Sequence, residues 1–276
     1  MTYRTTALLT AALLAAAFHA GGQTATTRLS PARPDRTPAS RPAEKVDPAA
    51  MKVLKRLEAA ADKHPRLQAA LDFRVDHLQT GESERRTGFV YYQAAMGKEP
   101  AKFRVHFDHF RDGDGPKIRD EIDYVFDGRW LTVRKARIKQ MIRYQVAPEG
   151  RTVNALELGK GPFPVPFGQK AETVLEHFVV GTRDPAKTDP PKTDYLKLLT
   201  RPAHRRDIKL VWAELWVQRE TGLPVKVVGE DKSENRTTVV FKSIETPKDF
   251  PKTTFDLPRP PRDWEYRVEK FEGKVE

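Results

Sequence analysis

Hydrophobic residues follow two different periods along the chain. Between residues 48 and 63 they recur every three or four positions, as on one face of a helix. Asp47 followed by Pro48 is a favourable N-cap and first-turn pair. We therefore predict an amphipathic helix from there to His64-Pro65, with these apolar residues on one face: Met51, Val53, Leu54, Leu57 and Ala61.

From residue 71 onward the period changes to two, which is typical of half-buried strands. Turn residues at 80–81, 97–100, 112–115 and 127–128 separate the runs and predict a six-strand antiparallel meander. A short helix is expected next, with Ala171, Val174, Leu175 and Phe178 on one side. Strands resume at Tyr195, 208–218, 224–231 and 236–245, which gives about ten strands in total.

The segment 159–168, GKGPFPVPFG, interrupts this rhythm. Its three prolines alternate with Phe163, Val165 and Phe167. Proline removes backbone donors and fixes φ, so the segment is neither a central strand nor a helix. We predict a loop that carries apolar side chains.

The N-terminal residues predict an exported protein. Arg4 precedes an apolar run at 7–18 and small residues at 20–22, the layout of a signal peptide over residues 1–22. Residues 23–47 are rich in Pro, Thr, Ser and Arg and have almost no large apolar side chains, which predicts a disordered tether. One folded domain is expected over residues 48–276.

Composition excludes several classes of site. The chain has no cysteine, so disulfides, thiolate catalysis and cysteine-bound metals are excluded. Its 49 basic and 38 acidic residues give a net charge of +11, but the two signs are interleaved, and export argues against a nucleic-acid partner. His106 and Asp108 could form a hydrolytic or metal pair, although alternating polar residues are usually the solvated face of a strand. We expect no cofactor, no metal and no enzymatic activity.

A large incomplete barrel encloses space that its own side chains do not readily fill. The apolar alternation predicts that an inner, cavity-lining face is formed by Phe73, Tyr91, Phe103, Val105, Phe107, Tyr124, Phe126, Tyr144, Leu215 and Val217. A lid or plug over it would use Leu54, Leu57, Phe163, Phe167 and Leu175. An ordinary packed core is the alternative interpretation of the same pattern.

The order of these elements resembles the outer-membrane lipoprotein carrier protein (LolA) family over residues 47–264. The resemblance is carried by MKVLKRLEAAA, by GFVYYQAAMGKEPAKFRVHF, by YVFDGRWLTV, and by TGLPVKVVGEDKSENRTTVVF followed by TTFDLPRPP. It implies a mainly β fold with some helix, in which an open antiparallel barrel is closed by a helical lid over a hydrophobic cavity.

The resemblance also implies a function. A monomeric periplasmic carrier would bind lipoprotein acyl chains or a related lipid, receiving them from an inner-membrane release complex and delivering them to an outer-membrane acceptor. The alternative is a periplasmic sensor of lipid or lipoprotein on the same fold. Glu99 stands where the family usually has the arginine that takes part in lid movement, and Lys98 and Lys102 are the nearest substitutes.

Overall fold

The computed structural model describes residues 46–148, 158–159 and 167–270. The predicted signal peptide, nearly all of the tether, Phe163 and Val165 lie outside these residues.

The order of elements begins with a helix and continues with strands. Helix α1 spans Pro48–Lys63 and helix α2 spans Ala171–His177. The first six strands are β1 (Arg66–His77), β2 (Glu82–Gln93), β3 (Lys102–Asp112), β4 (Ile118–Phe126), β5 (Trp130–Lys135) and β6 (Gln140–Gln145). The other six are β7 (Phe178–Gly181), β8 (Thr193–Thr200), β9 (Leu210–Gln218), β10 (Pro224–Asp231), β11 (Asn235–Glu245) and β12 (Glu265–Glu269).

All twelve strands form one sheet in the order β12-β6-β5-β4-β3-β2-β1-β11-β10-β9-β8-β7. Neighbours pair antiparallel except β12 and β6, which are parallel. β12 and β7 are the two edges of the sheet, so the sheet is not closed into a barrel. The predicted fold class, an open antiparallel sheet with a helical cover, is confirmed.

Helix α1 begins as predicted. The Asp47 carboxylate accepts a hydrogen bond of 2.9 Å from the Ala49 N–H, and Pro48 occupies the first turn, where its missing N–H costs nothing. One face of the helix is buried, by Ala50, Val53, Leu54, Leu57 and Ala60. Tertiary packing of this face, more than intrinsic propensity, stabilises a helix of this length.

Two of the twelve strands were not predicted. Phe178 begins β7, where it pairs with Thr200, instead of ending the short helix. The C-terminal segment after β11 crosses the sheet and adds β12 beside β6, with Phe250 packed edge-on against Tyr91 at 6.0 Å. In the described ranges, no helix is both long and apolar enough to cross a bilayer.

Candidate functional site

Strand pairing decides which side chains share a face of the sheet. Residues directly opposite each other on paired strands point to the same side, and Leu67 of β1 lies opposite Tyr92 of β2, which lies opposite Phe103 of β3. We call this side the inner face, because it is the side that α1 covers. Leu71 continues it onto β11 through Phe241.

Aromatic rings form a nearly continuous layer on the inner face. Phe103 stacks on Phe126 with ring centroids 5.6 Å apart. Phe107 lies 5.5 Å from Phe73 and 6.3 Å from Tyr124. Burial raises the pKa of Tyr124 to about 12, so its phenol is neutral at any physiological pH.

The apolar layer ends at a polar pair towards the turns that join β1 to β2 and β3 to β4. There Arg86 donates a 2.9 Å hydrogen bond to the nearly buried carboxylate of Asp120. The Arg86 guanidinium also lies 4.4 Å from the centre of the Phe110 ring. On strands β2 to β4 the apolar part of the inner face therefore stops short of these turns.

Phe167, from the end of the proline-rich loop, inserts into this layer. Its ring is buried, stacks on Tyr92 at 5.8 Å and lies 5.1 Å from Phe241. Gly168 follows at a φ of +70°, and a Cβ there would lie 2.3 Å from the Tyr92 hydroxyl. The glycine therefore allows the loop to pass close enough for Phe167 to reach the sheet.

A cavity of about 580 Å³, half open to solvent, lies between α1 and the turn that joins β2 to β3, and Gly168, which follows Phe167, is part of its lining. Its walls are mainly small or apolar, from Ala61, Tyr92, Ala94, Ala95, Pro100 and Ala101. Polar and charged groups lie around it, from Glu58, Asp62, Gln169 and Lys170. Burial, with a contribution from Asp62, raises the pKa of Tyr92 to about 12. The lining is amphiphilic. The volume of the cavity falls within the range of ordinary ligand sites.

Most of the sequence-predicted wall residues lie on the inner face, and most are covered. The fully buried ones are Phe103, Val105, Phe107, Phe126, Leu215 and Val217. Tyr124 is also buried, whereas Phe73 and Tyr144 are half-buried. Among the lid residues, Leu54, Leu57 and Phe167 are buried and Leu175 is half-buried.

Tyr91 is on the other side of the sheet. It lies opposite Arg104 on β3 and packs against Phe250, while its neighbour Tyr92 faces the cavity. The run FVYYQ is apolar in both phases of the alternation, so the sequence did not distinguish the two tyrosines.

Helix α1 is tied to the sheet at one point by a charged cluster. Asp194 of β8 accepts hydrogen bonds from Arg56 of α1 and, at 2.7 Å, from Arg219. Burial alone would raise the pKa of Asp194, but these two hydrogen bonds outweigh it and lower the pKa. Next to this cluster, Gly222 packs so closely on the helix that a Cβ would lie 2.8 Å from the Arg56 carbonyl oxygen.

Glu99 takes no part in that connection. It is exposed and accepts a 2.7 Å hydrogen bond from Lys102, which lowers its pKa. Among the residues that the structure describes, the ion pair that links α1 to the sheet is the one between Arg56 and Asp194.

The pair His106 and Asp108 is not brought together. His106 Nδ1 lies 2.9 Å from the buried carboxylate of Asp123, whereas Asp108 accepts from Thr87 and lies 2.8 Å from His109 Nδ1. Burial would raise the pKa of Asp123, but His106 and Arg104 outweigh it and lower the pKa. Asp123 alternates with the apolar Ile122 and Tyr124 along β4, a pattern typical of a solvated face. The C-terminal segment helps to cover it, since the Thr254 carbonyl accepts a hydrogen bond from Arg104.

The chain matches no family model, and no curated protein matches it. Solved structures do match its fold. An uncharacterized conserved protein from Thermus thermophilus is 12% identical, with a TM-score of 0.47 over 80% of this chain and 99% of that chain. The lipoprotein LppX from Mycobacterium tuberculosis is 10% identical, with a TM-score of 0.43 over 74% and 98% of the two chains.

A LolA superfamily protein from Nitrosomonas europaea is 14% identical, with a TM-score of 0.37 over 75% of this chain and 97% of that chain. At such identities and TM-scores, similarity assigns neither family membership nor an activity. What can be stated rests on the sheet itself: the described residues form an open, mainly antiparallel sheet of twelve strands whose inner face is covered by α1.

Proposed function

We propose that this protein is a periplasmic carrier that reversibly binds one acyl chain of a lipoprotein or related lipid between α1 and the inner face of the sheet. The single observation that carries the proposal is the cavity of about 580 Å³ beside Tyr92 and Phe167. Its small apolar walls suit a hydrocarbon chain, and the charged residues around it suit a polar headgroup. Donor and acceptor complexes in the two membranes would supply and remove the chain.

A carrier must bind its ligand reversibly. Burying a 14-carbon chain contributes on the order of 10 kcal/mol at about 0.8 kcal/mol per CH₂, which is too much for easy release. Val53, Leu54 and Leu57 of α1 are buried, and each contributes about 1.5–3 kcal/mol when it is covered. A ligand that displaces α1 gives up this contribution, so the helix lowers the net affinity to a reversible level.

Filling the cavity tests the proposal. Ala61 lines the cavity, and Ala59 lies two residues away on the exposed side of the same helix. We expect Ala61→Phe to weaken binding of an apolar fluorescent probe by about tenfold or more, which corresponds to about 1.4 kcal/mol, because the new ring occupies the ligand's space. The measurement is a probe titration of the purified protein.

The matched control is Ala59→Phe, which adds the same ring outside the cavity. It should leave the probe affinity unchanged, and both variants should keep the wild-type circular dichroism spectrum. Equal binding by the two variants would place the probe elsewhere, and a wild-type protein that binds no apolar probe would refute the proposed function.

The Asp194 cluster predicts a second effect, on lid opening. Asp194→Asn removes the charge that Arg56 and Arg219 share, so the free energy of unfolding should fall by about 1–3 kcal/mol and probe association should become faster. The pKa of Asp194 is lower in the folded protein than in the unfolded chain, where it is near 4. The charged carboxylate therefore contributes its full stabilisation above the unfolded-state pKa, and this stabilisation is lost as the pH falls through the folded-state pKa.

The pH dependence provides the check for this second effect. Denaturant unfolding should give a constant difference between wild type and Asp194→Asn from about pH 5 to 8, and a shrinking difference below about pH 4. Glu99→Gln, which breaks an exposed ion pair, is the control and should leave the unfolding midpoint unchanged within experimental error. A pH-independent difference would mean that the variant acts through something other than the carboxylate charge.

A further inference from the structure

Exposed aliphatic side chains are concentrated at one end of the sheet. This end carries the turns β1–β2, β3–β4, β5–β6, β8–β9 and β10–β11, and we call it the hairpin rim. In the part of the chain that the structure describes, five of the eight exposed large hydrophobic residues lie at or next to these turns, with exposed fractions of 38 to 56%: Leu78, Ile118, Ile138, Leu199 and Val211. Four of the five turns therefore have at least one such residue beside them.

The opposite end of the sheet differs. Four hairpin turns at this end are fully described, at residues 94–101, 127–129, 182–192 and 219–223, and none of these four contains an exposed large hydrophobic residue. Both ends carry short turns as well as longer solvent-facing loops, so turn chemistry alone does not explain the difference. The asymmetry indicates that the hairpin rim meets a surface that accepts aliphatic groups.

Basic side chains accompany the aliphatic ones. Arg205, Arg206 and Lys209 are exposed in the β8–β9 loop, and Lys117 and Lys232 are exposed in two other turns. Within these turns three exposed acidic residues, Asp114, Asp207 and Glu234, are outnumbered by seven exposed Lys and Arg residues. Asp231 is engaged within its own turn by the N–H groups of Ser233 and Asn235. Asp263 accepts a 2.7 Å hydrogen bond from Lys139.

The arrangement discriminates between kinds of partner. Neighbouring strands are about 4.8 Å apart, so aliphatic tips on successive hairpins are separated by roughly 10 Å and form no continuous patch. A protein partner needs a contiguous, well-packed core within about 800 Å² per side. A fluid bilayer surface has no fixed shape and can accept each aliphatic tip separately, while anionic headgroups attract each Lys or Arg by about 1 kcal/mol.

We propose that the hairpin rim docks this protein on the surface of an anionic lipid bilayer. The cavity beside Ala94 lies at the other end of β2, roughly 35 Å away for a strand of this length. Docking at the rim therefore leaves α1 and the cavity accessible. The inference does not depend on the proposed function, since vesicle binding and probe binding use different ends of the sheet and fail independently.

The test is flotation of the full mature chain with vesicles of phosphatidylcholine alone or mixed with phosphatidylglycerol. We expect binding to the mixed vesicles, and about tenfold weaker binding for the double variant Arg205→Glu/Arg206→Glu. The double variant Leu78→Ser/Ile138→Ser should weaken binding by a similar factor. Phe89→Ser, which removes an equally exposed residue from the middle of β2, is the control and should bind as wild type does.

A second measurement locates the contact directly. The chain has no cysteine, so Ile138→Cys and Phe89→Cys each create a single labelling site for an environment-sensitive dye. The dye at position 138 should shift to shorter wavelength on addition of mixed vesicles, and the dye at 89 should not. Absence of vesicle binding by wild type, unchanged binding by both rim variants, or a shift at 89 alone would each overturn the proposal.

Discussion

Phe103→Glu is expected to abolish cooperative folding of the domain. The Phe103 side chain is only 1% exposed and stacks on Phe126 at 5.6 Å, so a carboxylate there would be buried among aromatic rings. An unpaired buried charge costs several kcal/mol or more, and the whole stability of a domain is about 5–15 kcal/mol. Denaturant unfolding followed by circular dichroism should show either no transition or a collapse of its midpoint.

The same substitution at Phe89 is the control for Phe103→Glu. Phe89 is 42% exposed on the neighbouring strand, so Phe89→Glu can keep its charge hydrated and should unfold within about 1 kcal/mol of wild type. If Phe103→Glu instead unfolded normally, Phe103 would have to face water in the resting protein. In that case the interior would be open rather than closed by α1 and Phe167.

Phe167→Ala is expected to change stability and ligand affinity in opposite directions. Removing a buried ring that contacts Tyr92 and Phe241 should lower the free energy of unfolding by about 3–5 kcal/mol. The vacated space lies next to the cavity at Tyr92, and a ligand would no longer compete with the ring. Apolar probe affinity should therefore rise about tenfold, which corresponds to about 1.4 kcal/mol.

Phe178→Ala is the control that distinguishes a plug at Phe167, which competes with the ligand, from an ordinary packed core residue. Phe178 is as deeply buried as Phe167, but Phe167 stacks on the cavity residue Tyr92 and precedes the cavity residue Gly168, whereas Phe178 lies on β7. Phe178→Ala should therefore lower the free energy of unfolding by a similar amount without raising probe affinity. If both variants lost stability and neither gained affinity, Phe167 would be a core residue with no role in ligand competition.

Local patterns in the sequence were sufficient to predict both helices and ten of the twelve described strands. Asp47 and Pro48 specify the start of α1 because capping involves only neighbouring groups. Alternation along Phe103, Val105 and Phe107 specifies a half-buried strand for the same local reason. The open, mainly antiparallel sheet follows, since strands joined by short turns pair with their neighbours.

The candidate site was less predictable, because its members depend on pairing and on distant segments. Tyr91 and Tyr92 are equivalent in the sequence, and only the pairing of Tyr92 with Leu67 and Phe103 decides which one faces the cavity. The Arg56–Asp194 contact joins residues far apart in the chain, for which no local pattern exists.

The sequence by itself determined where the chain turns, which segments alternate, and that an apolar loop interrupts the strands. Only the tertiary structure decided that Phe178 belongs to β7, that β12 pairs in parallel with β6, and that Asp123 is buried. The physical reason is that a side chain's periodicity is set by its own strand, whereas its burial is set by whichever distant segment covers that strand.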